Sequence, residues 1–119
     1  MRRLIKSFGY AFKGITWAFK TQPNFKFHCA AAALVLLAGY GLKLSSSEWI
    51  WIATAIGMVL SAELLNTAIE VLVDLVSPQY NIKAGQVKDL AAAAVLLVAL
   101  IAATIGLIIF IPKLLPYVA

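Results

Sequence analysis

Residues Ser61–Pro78 read SAELLNTAIEVLVDLVSP, and this stretch decides how the chain is read. Glu63, Asn66, Glu70 and Asp74 recur at intervals of three, four and four. At about 100° per residue their side chains fall within roughly 80° on one helix face. Leu64, Leu65, Val71 and Leu72 occupy the opposite face. A row of carboxylates on an otherwise apolar helix is costly in hydrocarbon, so the surrounding sequence must say where that helix sits.

The composition points to a membrane. Of 119 residues, 63% are hydrophobic and only 13% charged, and the mean hydropathy is +0.94. One domain of this size cannot hide so much apolar surface from water. The net charge is +5. In so apolar a chain, this basicity suits anionic lipid headgroups or a phosphorylated ligand rather than nucleic acid. Cys29 is the single cysteine, so no intrachain disulfide or cysteine metal cluster is expected, and it reads as a small buried residue. The basic, amphipathic N-terminal segment is not expected to be a cleavable signal.

Working outward, residues 2–21 predict an interfacial amphipathic helix. Leu4, Ile5, Phe8, Ala11, Phe12, Ile15 and Phe19 share one face; Arg3, Lys6, Tyr10, Lys13 and Trp17 share the other. Thr21-Gln22-Pro23-Asn24 interrupts the pattern. Residues 25–44 then predict a first transmembrane helix, with Lys26 and His28 at its entrance. His28 reads as a solvated interfacial residue, and Gly39 and Gly41 as sites of close helix packing. A polar turn, KLSSSE, precedes a second span over 48–76, started at Ser47-Glu48 and belted by Trp49 and Trp51. The stretch Ser77–Gly85 reads as a connection. A third span covers 87–111, its apolar run Leu90–Ile111 reaching about 33 Å as a helix, and Pro112 and Lys113 are expected to close it. The fold class is therefore an all-α membrane protein: one interfacial helix plus three transmembrane helices.

Charge placement orients it. Arg2, Arg3, Lys6, Lys13, Lys20, Lys26, Lys83 and Lys88 fall on one side, and only Lys43 and Lys113 on the other. The N-terminus and the 74–89 loop are then cytoplasmic, and the chain is multi-pass in a cytoplasmic membrane. Entry near Trp49 puts Glu63 about 9 Å inside the cytoplasmic boundary, Glu70 at it and Asp74 just beyond. A carboxylate deep in the bilayer costs about 2.5–3.5 kcal/mol, against about 0.3–0.6 gained per good apolar residue. Glu63 must therefore face protein or water.

The row joins bilayer to cytosol, where groups could act on a lipid headgroup with a soluble co-substrate. Deprotonating an alcohol calls for a carboxylate partly withdrawn from water, and Glu63 is the better placed. Glu70 suits Mg²⁺, a hard cation that bridges phosphates and keeps waters. Asn66 could orient either, and Lys88 and Asp89 could serve phosphate, metal or adenosine. A polar seam between packed helices and a proton or ion pathway remain open on the residues alone. No Walker A sequence or GxGxxG turn is present, and Gly9 and Gly14 form no phosphate loop.

The run AELLNTAIEVLVD at 62–74, Tyr80, and VKDLAAAAVL at 87–96 together resemble the prokaryotic diacylglycerol kinase family, which includes undecaprenol kinases. RLIKSFGYAFKG at 3–14 and NFKFH at 24–28 extend the resemblance over nearly the whole chain. It implies a small membrane lipid kinase that moves the γ-phosphate of ATP, with Mg²⁺, onto a lipid alcohol, undecaprenol or diacylglycerol. It also implies a homotrimer with intersubunit active sites. The family's catalytic base falls on Glu63 and a metal-binding glutamate on Glu70. Nucleotide-contacting positions fall on Arg3, Tyr10, Lys88 and Asp89, and typical polar positions on Asn66 and Asp74. The second metal-binding glutamate falls on Gln22, a departure that lowers the charge offered to the metal. Gln79 and Asn81, flanking Tyr80, also depart from some relatives. NFKFH and DLVSP look more like the undecaprenol branch. The competing expectations are a weakened nucleotide- or lipid-binding relative, because of Gln22, and a small proton-coupled transporter using Glu63.

Overall fold

The structure, a computed structural model, describes all 119 residues, Met1–Ala119. It is all-helical: α1 (Arg2–Thr21), α2 (Pro23–Gly41), α3 (Ser46–Val76) and α4 (Ile82–Val118). α3 and α4 pack on each other most extensively, α2 lies on α3, and α1 meets α2 and α3 but does not pack on α4.

Local chemistry sets the boundaries. Pro23 stands at the first position of α2, where its missing N–H costs nothing. The α1–α2 corner is closed by Ala18 and Phe25, both buried. α2 stops at Gly41, short of the expected Leu44, in a Schellman-type end. Leu44 N–H bonds Gly39 O at 3.1 Å, Lys43 N–H bonds Tyr40 O at 3.3 Å, and Lys43 takes the left-handed conformation with φ 57°. α3 is started by Ser45 rather than Ser47. Ser45 Oγ accepts from Glu48 N–H at 3.2 Å, and Glu48 Oε1 accepts from Ser45 N–H at 2.9 Å, a reciprocal capping box. α4 begins at Ile82, five residues before the expected start, because Asn81 Oδ1 caps it by accepting from Lys83 and Ala84 N–H at 2.9 and 3.3 Å. It also runs through Pro112 and Pro116 to Val118. Each proline removes one backbone bond, but ending the helix there would leave a whole apolar turn unpaired, the costlier outcome in lipid.

Two ion pairs bridge the ends of the antiparallel α3–α4 pair. Lys88 pairs with Asp74 at one end. Lys113 Nζ lies 3.1 Å from Glu48 Oε1 at the other. The pairs are about 38 Å apart along the helices, close to a hydrocarbon core with its interfaces. α3 and α4 are long and apolar enough to cross a membrane, and little of either span is buried within the chain, 17% and 6%. α2 is the correction to three such helices. Its 19 residues reach about 28 Å, but Pro23, Asn24, Lys26 and His28 occupy its first turns and leave a short apolar run.

Only 11 of 119 residues are buried, so the apolar faces need lipid or other copies of the chain to cover them. The apolar core, Leu44, Ile52 and Ile109 with Val35 and Trp49 against it, lies toward the Glu48–Lys113 end. Cys29 is half-buried, not enclosed as expected, because α2 is covered on one side only.

Of the two glycines read as packing sites, Gly39 alone is one. A Cβ there would stand 2.7 Å from the Trp49 ring and 2.8 Å from Leu44 Cδ1, whereas one at Gly41 would meet nothing. Gly39→Ala is expected to destabilise the α2–α3 turn by about 1–3 kcal/mol, read as a lower thermal midpoint in detergent, while Gly41→Ala leaves it unchanged.

Candidate active site

The α1–α2 corner and the α3–α4 connection lie at the same end of the molecule. There the polar row of α3 faces its neighbours. Glu63 is 4% exposed, on a helix whose other buried positions are Ile52, Ala55, Val59 and Thr67. The row thus points inward where it is deepest. One turn on, Asn66 Nδ2 donates to Glu70 Oε1 at 3.1 Å, and Asn66 and Glu70 are half-buried. Asp74 is exposed and holds Lys88 from α4.

The row spans a gradient of burial. α2 begins about 8 Å before His28, whereas α3 continues about 20 Å beyond Glu63. Since His28 and Glu63 meet, α3 outruns the corner by about 12 Å, and its last turns carry Glu70 and Asp74 past the level where α2 starts.

The partner of Glu63 is His28, whose Nε2 lies 3.1 Å from Glu63 Oε1. Sequence reading took His28 as solvated, since no residue near it in sequence could bind it. The contact is between helices and leaves no mark in the spacing of either. His28 also lines an apolar cleft of about 240 Å³ on α3 between α2 and α4, walled by Ala32, Ala55, Val59, Ala103 and Gly106. His28 stands between the cleft and Glu63, and a buried carboxylate beside an apolar cleft can take a proton from a polar head whose tail lies in the cleft.

The remaining candidates are only partly gathered. Lys88 joins the row through Asp74, and its neighbour Asp89 is exposed. Gln22 sits at the corner with its Nε2 on Thr21 Oγ1 at 3.3 Å. Arg3 and Tyr10 are exposed on α1; Lys13 Nζ lies 5.9 Å from the Tyr10 ring centre. Since α1 does not pack on α4, one chain does not bring Arg3 and Tyr10 together with Lys88 and Asp89.

A cation would find hard oxygens here. Asn66 Oδ1 is buried without a hydrogen-bond partner, beside the Glu70 carboxylate that its own amide group contacts. An orphaned carbonyl oxygen next to a carboxylate fits Mg²⁺, which takes few protein ligands. No three His, Cys, Asp or Glu side chains converge to form a closed metal cage.

Comparison with known proteins gives the family. The sequence model of prokaryotic diacylglycerol kinase matches residues 9–110, taking in the α1–α2 corner, the row and Lys88-Asp89. The undecaprenol kinase of Bacillus subtilis (strain 168) is 47% identical over 114 residues, covering 96% of this chain and 93% of the relative. A diacylglycerol kinase of Synechocystis is 41% identical, covering 94% of this chain and 65% of the relative. The diacylglycerol kinase of Escherichia coli (strain K12) is 30% identical over 100 residues, covering 84% and 82%. With the polar row, the corner and the Lys88-Asp89 pair all inside the matched region, this chain belongs to the prokaryotic diacylglycerol kinase family.

Proposed function

We propose that the chain is a membrane lipid kinase that transfers the γ-phosphate of ATP to the hydroxyl of a lipid alcohol, undecaprenol rather than diacylglycerol. The observation that carries this reading is Glu63, a buried carboxylate on a membrane-length helix, joined through His28 to an apolar cleft, in a member of this family. Glu63 takes the hydroxyl proton as the oxygen attacks γ-phosphorus and the bond to the ADP leaving group breaks. Lys88 neutralises charge on the phosphates, and Asp74 keeps its ammonium at the mouth of the site. Glu70 and Asn66 Oδ1, with Gln22, hold Mg²⁺. When bound, the ion offsets the negative charge of the phosphates. Arg3, Tyr10 and Asp89 contact the nucleotide. Three copies assemble so that α1 of one chain completes the site of another, which would unite groups that one chain leaves apart. The N-terminus and the 74–89 loop face the cytoplasm, on the basic side of the molecule.

One observation favours undecaprenol: the Bacillus subtilis relative, 47% identical over 96% of this chain, is an undecaprenol kinase. The test is transfer of labelled phosphate from ATP in mixed micelles with each lipid. Faster transfer to undecaprenol is expected. No transfer to either alcohol above a Glu63→Gln control overturns the reading.

Gln22 supports a second reading, a weakened enzyme, since it offers a neutral amide oxygen where the family has a carboxylate. Its Nε2 on Thr21 leaves Oε1 free to serve a cation. On the kinase reading Gln22→Glu changes turnover little at saturating Mg²⁺ and lowers the Mg²⁺ concentration required. A large gain in turnover at saturating Mg²⁺ would favour the weakened enzyme.

A further inference from the structure

The geometry points to His28 as a positioning residue for Glu63: its Nε2 stands 3.1 Å from Oε1 and, with its N–H turned onto that oxygen, presents Oε2 to the substrate hydroxyl. The inference rests on the reading of Glu63 as the base and goes beyond it, by assigning a residue on a different helix.

The contact is 3.1 Å long, and the side chains of His28 and Glu63 are 22% and 5% exposed. A carboxylate only accepts hydrogen bonds, so the imidazole nitrogen facing it must carry the hydrogen. Both the neutral Nε2–H tautomer and the imidazolium meet that need. The other charged groups around the pair have partners elsewhere. Lys26, on the same helix as His28, places its ammonium 5.8 Å from the Phe19 ring centre on α1. Lys88 of α4 is held by Asp74, and Glu70 accepts from Asn66. Among these charged groups, His28 is the one in contact with Glu63.

The position of His28 is itself fixed. Phe25, 3% exposed and one turn earlier, locks the start of α2 against the corner, and Pro23 sets the direction in which the helix leaves it. A glutamate has three side-chain torsions, and without a partner on a neighbouring helix it would sample several of them. Fixing Oε1 removes that freedom before the alcohol arrives. A misplacement of about 1 Å in a reacting group can cost about a hundredfold in rate.

Three variants test this in the full-length protein in micelles, with MgATP and undecaprenol. Gln carries its Nε2 the same number of bonds from Cα as the imidazole Nε2, so His28→Gln is expected to retain most of the rate. His28→Leu fills the space without a donor and is expected to lower kcat about a hundredfold with KM for MgATP unchanged. His28→Leu as active as His28→Gln overturns the inference, because a packing role alone would then suffice. Glu63→Gln, measured alongside, separates the failures: if it is fully active, the base assignment fails; if it is inactive while His28→Leu is not, only the role of His28 fails.

A second measurement needs no variant. His28 is the only histidine, so its imidazole nitrogen signals are unambiguous in ¹⁵N NMR of the unmodified protein. The expected spectrum has a hydrogen on Nε2. A neutral ring carrying its hydrogen on Nδ1 alone overturns the assignment.

Discussion

Glu63→Gln is expected to lower phosphate transfer by about 10²–10⁴-fold, the usual contribution of a positioned general base. The amide has the shape of the carboxylate and still offers an oxygen to His28 Nε2, 3.1 Å away in the native chain. What it loses is the ability to accept the hydroxyl proton. Fold and assembly should survive, because the side chain is almost fully buried and the change removes a charge rather than creating one. Thermal stability in detergent is expected to hold or rise, and KM for MgATP to stay within a few-fold. That combination separates a lost base from a damaged fold. A variant that keeps more than about a tenth of native kcat would remove Glu63 from the chemistry.

Glu70→Gln is expected to act on the metal instead. Asn66 Nδ2 can still donate to the new amide oxygen, so the local hydrogen bond is kept, but the carboxylate charge beside the orphaned Asn66 Oδ1 is gone. Loss of even an outer-shell partner typically weakens a metal site about 10–100-fold, so a lost ligand should cost at least that. The Mg²⁺ concentration for half-maximal rate should rise accordingly. Mn²⁺ binding in the presence of ATP, followed by electron paramagnetic resonance without lipid, should weaken in parallel. Combining it with Gln22→Glu tests whether the corner and the row hold the same ion. Partial recovery is expected if they do, and simple additivity if they do not. An unchanged metal requirement in Glu70→Gln would leave the residue a structural partner of Asn66.

How far the sequence could be read depended on the range of each interaction. The helical character of residues 2–21 and the long apolar helices around the polar row follow from periodicity and composition, which are local properties. The ends of the helices were less legible. Asn81 looked like part of a loop, yet its side chain caps α4. Pro112 looked like a stop, yet α4 passes through it. Ser45 and Ser47 are both reasonable caps, and only Ser45 stands three residues before Glu48. These depend on which competing local bond forms, a choice decided by a few tenths to about 2 kcal/mol.

The candidate site divides the same way. Glu63, Asn66, Glu70 and Asp74 lie on one helix, so their common face could be read from intervals of three and four. The family resemblance supplied the expected roles of Arg3, Tyr10, Gln22, Lys88 and Asp89. The pairing of Lys88 with Asp74 needed the fold, since the two residues lie on different helices. The contact between His28 and Glu63 needed it more, since 35 positions separate them and neither helix pattern points to the other.

By itself, then, the sequence determined a membrane-embedded, all-helical chain with a polar row at one end, because hydrophobicity and helical period are summed over neighbouring residues. The tertiary structure decided which side chain stands against the buried carboxylate, which glycine is crowded and where an apolar cleft opens. Those outcomes depend on how rigid helices pack. A packing angle set at one corner moves every distant contact, and no local pattern records it.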